Sequence, residues 1–258
     1  METINLINFS GGRTSAYMTK RLLEETNENY VICFQNTGRE SKETLDFINE
    51  CDKRWNLNVV WIEYRHPSEV KERFEVVTYE TASRNGEPFE ALLRQRPASI
   101  PNVQFRYCTL ELKIKTVKRY LKSLGIKDYI SFNGIRYDEP KRWSKIKNNE
   151  EFDVDLPLVD WRVTKSDVMS FWKSQDFDLK INDPYGNCDG CFLKGKGKLI
   201  QILKDNPSAL DWWIDIENKK GSTFKKEITY QKLKDMSKES KPDLFSEDPS
   251  FDCFCNAD

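Results

Sequence analysis

The chain has 258 residues, 32% of them charged and 38% hydrophobic, and carries a net charge of −1 at neutral pH. So even a balance argues against a protein that coats nucleic acid over its whole surface, while permitting a local basic face. No apolar run approaches bilayer length and the chain enters directly into a strand pattern, so neither a signal peptide nor a membrane span is expected and the expected location is cytoplasmic.

The first apolar run, Ile4, Leu6, Ile7 and Phe9, predicts a strand. It ends in Ser10-Gly11-Gly12-Arg13-Thr14-Ser15, and a helical pattern follows through Tyr17, Met18, Leu22 and Leu23. A strand, a Ser/Gly turn and a helix start form a cradle for an anion. Glycines let backbone N–H groups approach it, the helix N-terminus favours negative charge, and Ser10, Thr14, Ser15 and Arg13 add donors. Tyr30 to Phe34 predicts a buried strand, closed by the polar turn Asn36 to Glu40. Glu43 to Trp55 predicts an amphipathic helix and Val59 to Ile62 a third strand. This alternation predicts an α/β fold with a doubly wound, mostly parallel sheet, in which ligands bind beyond the carboxyl ends of the strands.

Residues 66–108 read as a long, mostly irregular loop with a short helix near Phe89 to Leu93, of the kind that carries function. Thr109 to Leu124 is helical, with Lys113, Lys115, Lys118, Arg119 and Lys122 alongside. Asp128 to Phe132 predicts another strand, ending at Asn133-Gly134-Ile135-Arg136, with Asp138, Glu139 and Arg142 close behind. Leu156 to Trp161 leads into a helix bearing Val168, Met169, Phe171 and Trp172. Further helices are expected from Leu199 to Leu203 and around Trp212, Trp213 and Ile216. The expected division is a nucleotide-binding α/β domain over 1–180 and a small helical, cysteine-bearing region over 181–258.

Of the seven cysteines, Cys188 and Cys191 flank an Asp-Gly turn, and Cys253 and Cys255 sit near the C-terminus. Such spacings read as metal or redox sites in a reducing compartment. Four thiolates suit Zn²⁺ or an iron–sulfur cluster, with Cys108 a fifth candidate. Cys33, in a strand, and Cys51, on a core helix face, read as packing residues.

The ordered set of motifs resembles a known family. Ser10-Gly11-Gly12-Arg13-Thr14-Ser15 looks like the PP-loop of the N-type ATP pyrophosphatases, the adenine nucleotide alpha hydrolase-like fold. Asn36-Thr37-Gly38-Arg39-Glu40 with Glu43-Thr44 and Arg106-Tyr107-Cys108-Thr109 with Lys113 are similar to segments of the phosphoadenosine phosphosulfate (PAPS) reductases. So are Gly134-Ile135-Arg136 with Asp138, Glu139 and Arg142, and Pro157-Leu158 with Asp160-Trp161. With Asn187-Cys188 and Cys191 added, the set is similar to PAPS reductase-like proteins of phages and bacteria.

The resemblance implies an adenosine nucleotide, ATP or PAPS/APS, with Ser10 to Ser15 on its phosphates or sulfate. Asn36, Thr37 and Gly38 would lie along it, Gly134 and Asp138 beside it. Arg13, Lys113, Arg136 and Arg142 would stabilise the departing charge. Family members imply a four-iron cluster, here on Cys108, Cys188, Cys191 and Cys253, leaving Cys255 as nucleophile; Zn²⁺ is the alternative. Two reactions are implied. One is thiolate attack on an adenylated sulfate, with a thioredoxin-like thiol reductant. The other is adenylation of a tRNA or DNA acceptor for thiolation, using ATP and Mg²⁺. A non-catalytic nucleotide-binding module is a third reading. The chain departs from the pattern in carrying Arg13-Thr14 where the ATPases have Lys-Asp, which leaves Asp138, Glu139 or Asp160 for Mg²⁺, and in lacking the reductases' E-C-G-x-H tail.

Overall fold

Strand β1 (Ile4–Asn8) lies inside a six-stranded sheet, paired in parallel with β2 (Tyr30–Asn36) on one side and β5 (Tyr129–Phe132) on the other. This is a computed structural model; it describes residues 4–147, 153–181, 185–186 and 188–239. The sheet continues through β3 (Val60–Tyr64) to an antiparallel edge strand β4 (Phe74–Val77), and beyond β5 to β6 (Val154–Asp155), giving the order β4-β3-β2-β1-β5-β6. The chain runs outward from β1 to β3 and then returns beside β1 as β5, so the strand order reverses between β1 and β5. That is where a doubly wound sheet opens a crevice.

Helix α1 (Arg13–Glu25) and α2 (Lys42–Trp55) cover one face with Ile7, Phe9, Ile32, Leu45 and Ile48 between them. Ser41 caps α2 through a hydrogen bond from the Thr44 amide, and Asn56 ends it in the left-handed region at φ 51°. The opposite face carries a π-helical turn (Thr109–Ile114) that runs into α4 (Lys115–Ser123), whose Val117 and Leu121 meet Leu6, Cys33 and Ile62. Helices α5 (Pro140–Lys147), α6 (Pro157–Asp160) and α7 (Lys165–Lys173) complete the α/β layer.

The stretch 66–108 is more ordered than its composition suggests. Besides β4 it holds α3 (Glu87–Gln95), and Phe89, Leu92 and Leu93 of α3 share one core with α8 (Lys196–Asp205), α9 (Asp211–Lys220) and α10 (Tyr230–Lys238). The insertion is thus the seat on which the C-terminal helices pack. Among the described residues, no helix is long and apolar enough to cross a membrane.

Candidate nucleotide site and thiol cluster

The Ser/Gly turn meets α1 as the sequence requires. Gly11 has φ +82°, and a Cβ there would lie 2.7 Å from the Thr44 methyl and 2.9 Å from Ile48 Cδ1, so only glycine fits. Gly12 is the N-cap of α1. Unlike α2 and α7, capped by Ser41 and Thr164, α1 starts with no side-chain cap and no acidic residue in its first turn. An anion is the natural partner for such a terminus. The Ser15 hydroxyl organises the turn: it donates to the Gly12 carbonyl at 3.0 Å and accepts from the Ser10 amide at 3.2 Å and the Ser10 hydroxyl at 2.9 Å. Gly134 presses on the same turn, since a Cβ would meet Ser15 Cα at 3.0 Å.

A cavity of about 500 Å³ opens from this turn along the β1–β5 crevice, between the π-helical turn and α4 on one side and α5 on the other. That volume suits a small-molecule ligand of nucleotide size. Ser10, Gly134, Lys113 and Arg142 line it. Its floor carries a polar strip that motif reading missed. Asn8 donates to Ser131 Oγ at 2.7 Å and to Asn133 Oδ1 at 3.1 Å, and Gln35 reaches Asn8 Oδ1 at 3.4 Å. The available signal was a polar side chain every second residue in otherwise apolar strands, on the face shared with Leu6.

The predicted cations are placed unequally. The Arg13 guanidinium, expected on the phosphates, instead forks onto Asp178 at 2.7 and 2.9 Å and donates to the Leu179 carbonyl at 2.5 Å. Arg136 is buried and donates to Thr14 Oγ1 at 3.2 Å and Asp138 Oδ1 at 3.0 Å, fixing the loop after β5 to the first turn of α1. Arg142 pairs with Glu139 and faces the cavity. Both carboxylates proposed for Mg²⁺ in this loop are therefore engaged by arginines. Lys113 stands 3.7 Å from Glu40.

Asn36, Thr37 and Gly38 form a second turn at the end of β2. The Asn36 side chain is committed inward, donating to Glu63 at 2.6 Å and to the Ser83 carbonyl at 2.8 Å, while its Oδ1 accepts the Gly38 amide at 3.0 Å. The Thr37 amide and hydroxyl both reach Glu40, at 2.9 and 2.8 Å. Gly38, at φ +76°, packs against Gly86 and Pro88. This turn holds the thiol loop. Glu40 and Cys188 form an antiparallel bridge, the Asp189 amide donates to the Arg39 carbonyl at 2.9 Å, and Thr37 Oγ1 lies 3.4 Å from Cys188 Sγ.

Cys108, Cys188 and Cys191 come together on a pocket of about 30 Å³, whose walls include Thr109 and Lys113, the same two residues that line the large cavity. Burial, with Glu40 adding to it and Lys113 opposing it, holds the Cys188 thiol well above its ordinary pKa. Burial also lowers the Lys194 ammonium beside it. Cys253 and Cys255 lie outside the described residues. Among those described, no three His, Cys, Asp or Glu side chains converge as a ligand set. The three thiols border this small space without converging on one point, so these residues alone do not fit a four-iron cluster. Cys33 and Cys51 are buried in the sheet core, and burial pushes the Cys33 thiol up to about 12.

The decisive comparison covers most of the chain. Residues 4–182 match the phosphoadenosine phosphosulfate reductase domain. The chain belongs to that family. It is 30% identical over 221 residues to the nin region protein ORF290 of Escherichia phage lambda, an alignment spanning 78% of this chain and 70% of the phage protein. It is also 24% identical over 222 residues to the protein MJ0973 of Methanocaldococcus jannaschii, covering 81% of this chain and 46% of that one. Family members bind adenosine nucleotides, and the match runs to residue 182.

Proposed function

We propose that the chain is an adenosine-nucleotide-dependent enzyme of sulfur metabolism in which a thiolate attacks the sulfur of an adenylated sulfate. The phosphates rest on Ser10 to Ser15 and the α1 N-terminus, and the adenosine fills the cavity over Asn8, Ser131 and Asn133. The observation that carries this reading is the shared wall: Thr109 and Lys113 border both the nucleotide-sized cavity and the pocket lined by three thiols. In the reaction a sulfur–sulfur bond forms and the sulfate S–O bond to the nucleotide phosphate breaks. The electron pair leaves on that phosphate oxygen, where Lys113 and Arg142 stabilise it. A second thiol then displaces sulfite and leaves a disulfide, which an external dithiol protein of thioredoxin type reduces.

Burial disfavours thiolate at Cys188; the nucleophile of this reading is Cys255, assigned from the sequence and outside the described residues. The second reading, adenylation of an acceptor by ATP with release of pyrophosphate, is supported by the Ser-Gly-Gly-x-x-Ser turn. The two are separated by supplying PAPS or APS with reduced thioredoxin and measuring sulfite, and ATP with and without nucleic acid and measuring pyrophosphate. Sulfite release supports the first reading. Pyrophosphate without sulfite replaces it with the second, and nucleotide binding without either product supports a non-catalytic module.

A further inference from the structure

Like-charged lysines one helical turn apart destabilise a helix unless acids match them, and elsewhere in the described helices an acid does so, as in Lys20–Glu24, Lys42–Asp46 and Asp215–Lys219, or in α10, where Lys234 and Lys238 reach Asp211 and Asp235. The two helices that wall the large cavity do the opposite. Helix α4 exposes Lys118 and Lys122, and α5 exposes Lys141 and Lys145, each pair four residues apart, with Lys127 between the helices at the start of β5. None of these five ammonium groups has a hydrogen-bond or ion-pair partner among the described residues. Lys118, Lys127 and Lys145 line the cavity itself, with Asp128 and Asp153 as the acids among its described lining residues. By contrast, the two other cations among the cavity's described lining residues, Lys113 and Arg142, are matched by Glu40 and Glu139.

We infer that the two lips of the cavity, α4 and α5, are a binding surface for a single-stranded nucleic acid, whose phosphodiester backbone lies on the unpaired lysines. The charge that the net balance of −1 hides is here concentrated on one opening, and a polyanion gains affinity there by releasing counterions. A single strand is favoured over a duplex because the opening is a concave slot, and two exposed aromatic residues stand close in sequence to residues that line it. Phe105, 68% exposed, precedes cavity-lining Thr109 by four residues, and Tyr137, 45% exposed, follows cavity-lining Ile135 by two. Exposed rings beside a cationic groove are stacking platforms for unpaired bases. The surface uses residues other than the phosphate turn, so it stands or falls separately from the nucleotide reading.

The test is fluorescence anisotropy of labelled single-stranded and duplex oligonucleotides on the full chain, across a salt series. It compares the wild type with K122E/K141E, two exposed positions that do not line the cavity, while calorimetry follows ATP and PAPS on the same proteins. The expected result is single-strand binding that weakens with salt and falls about tenfold or more in the variant, with a salt slope shallower by roughly 1.4 for two lost contacts, and unchanged nucleotide affinity. Three outcomes overturn the inference: no oligonucleotide binding at low salt, binding indifferent to the charge reversal, or an equal loss of nucleotide affinity. Equal or tighter binding of the duplex overturns the assignment to single strands.

Discussion

Arg13 and Asp178, 165 residues apart in sequence, meet in a two-point contact, Nε to Oδ1 at 2.7 Å and Nη2 to Oδ2 at 2.9 Å. The first residue of α1 is thereby tied to the segment after α7, and from α7 itself Trp172 Nε1 also donates to the Arg13 carbonyl at 3.0 Å. What the phosphate turn offers a ligand is backbone and hydroxyl, with the guanidinium acting as its anchor. Arg13→Lys keeps the charge but loses the fork, because an ammonium cannot span both carboxylate oxygens. It is expected to cost about 1 kcal/mol in denaturant unfolding, a modest figure because Asp178 is partly solvated, and to leave nucleotide affinity within about threefold. A large loss of affinity at unchanged stability would put the guanidinium on the ligand.

Gly134 is the contact through which the loop after β5 shapes the turn. A methyl group there would sit 3.0 Å from Ser15 Cα and 3.2 Å from its amide nitrogen, and backbone on backbone cannot yield cheaply. Gly134→Ala is expected to destabilise the fold by about 1–3 kcal/mol and to weaken nucleotide binding at least about tenfold by displacing Ser15. Thermal unfolding and calorimetry on the same preparation read both effects.

Arg136 is 6% exposed and links Thr14 to Asp138. Its removal takes a buried guanidinium away from Thr14, Asp138 and Glu139 beside the Ser10–Ser15 turn. Arg136→Ala is therefore expected to lose roughly 3 kcal/mol of stability, and Arg136→Lys to recover only part of it. Chemical denaturation of the two variants tests the order; equal stability of both with wild type would contradict it.

The Cys188 thiol carries a pH signature. Burial raises its folded pKa above the ordinary thiol value, so the stability that comes from keeping it protonated is fully present below about 8.5 and is lost as pH rises through the raised folded value. Peptide-level alkylation by iodoacetamide should be slow at Cys188 at neutral pH and accelerate only in alkali. Lys113→Ala, which removes a cation favouring the thiolate, should slow it further. Rapid alkylation of Cys188 at pH 7 would mean that Lys113 outweighs burial.

The parallel sheet and both polar turns were legible because each strand ends where an apolar run meets glycine and hydroxyl residues. The edge strand β4 was not. It is four residues long, pairs on one side only, and leaves Glu75 and Val76 exposed, so it shows no apolar period. Strand β6, at two residues, is too short to leave a pattern. Thr109 to Leu124 read correctly as helix, but not the wider π turn that places Thr109 and Lys113 between the two cavities. Cys108, Cys188 and Cys191 were read as a group and do share a pocket. The partners of Arg13 and Asn36 were beyond reach, since Asp178 and Glu63 are set by tertiary packing and no local spacing encodes them. The lysine-rich face from Lys113 to Lys122 resembled an ordinary solvated helix until α5 brought Lys141 and Lys145 across the cavity from Lys118 and Lys122.

The central claim, that an adenosine nucleotide sits in the β1–β5 crevice with its phosphates on the Ser10–Ser15 turn, is tested most directly by calorimetric titration of wild type and Ser15→Ala with PAPS and ATP. The hydroxyl of Ser15 holds three groups of the turn in place, so its loss is expected to raise Kd about tenfold or more for the preferred nucleotide, with one nucleotide bound per chain in the wild type. Absence of nucleotide binding to the folded wild type, or affinity that Ser15→Ala leaves untouched, would contradict the account.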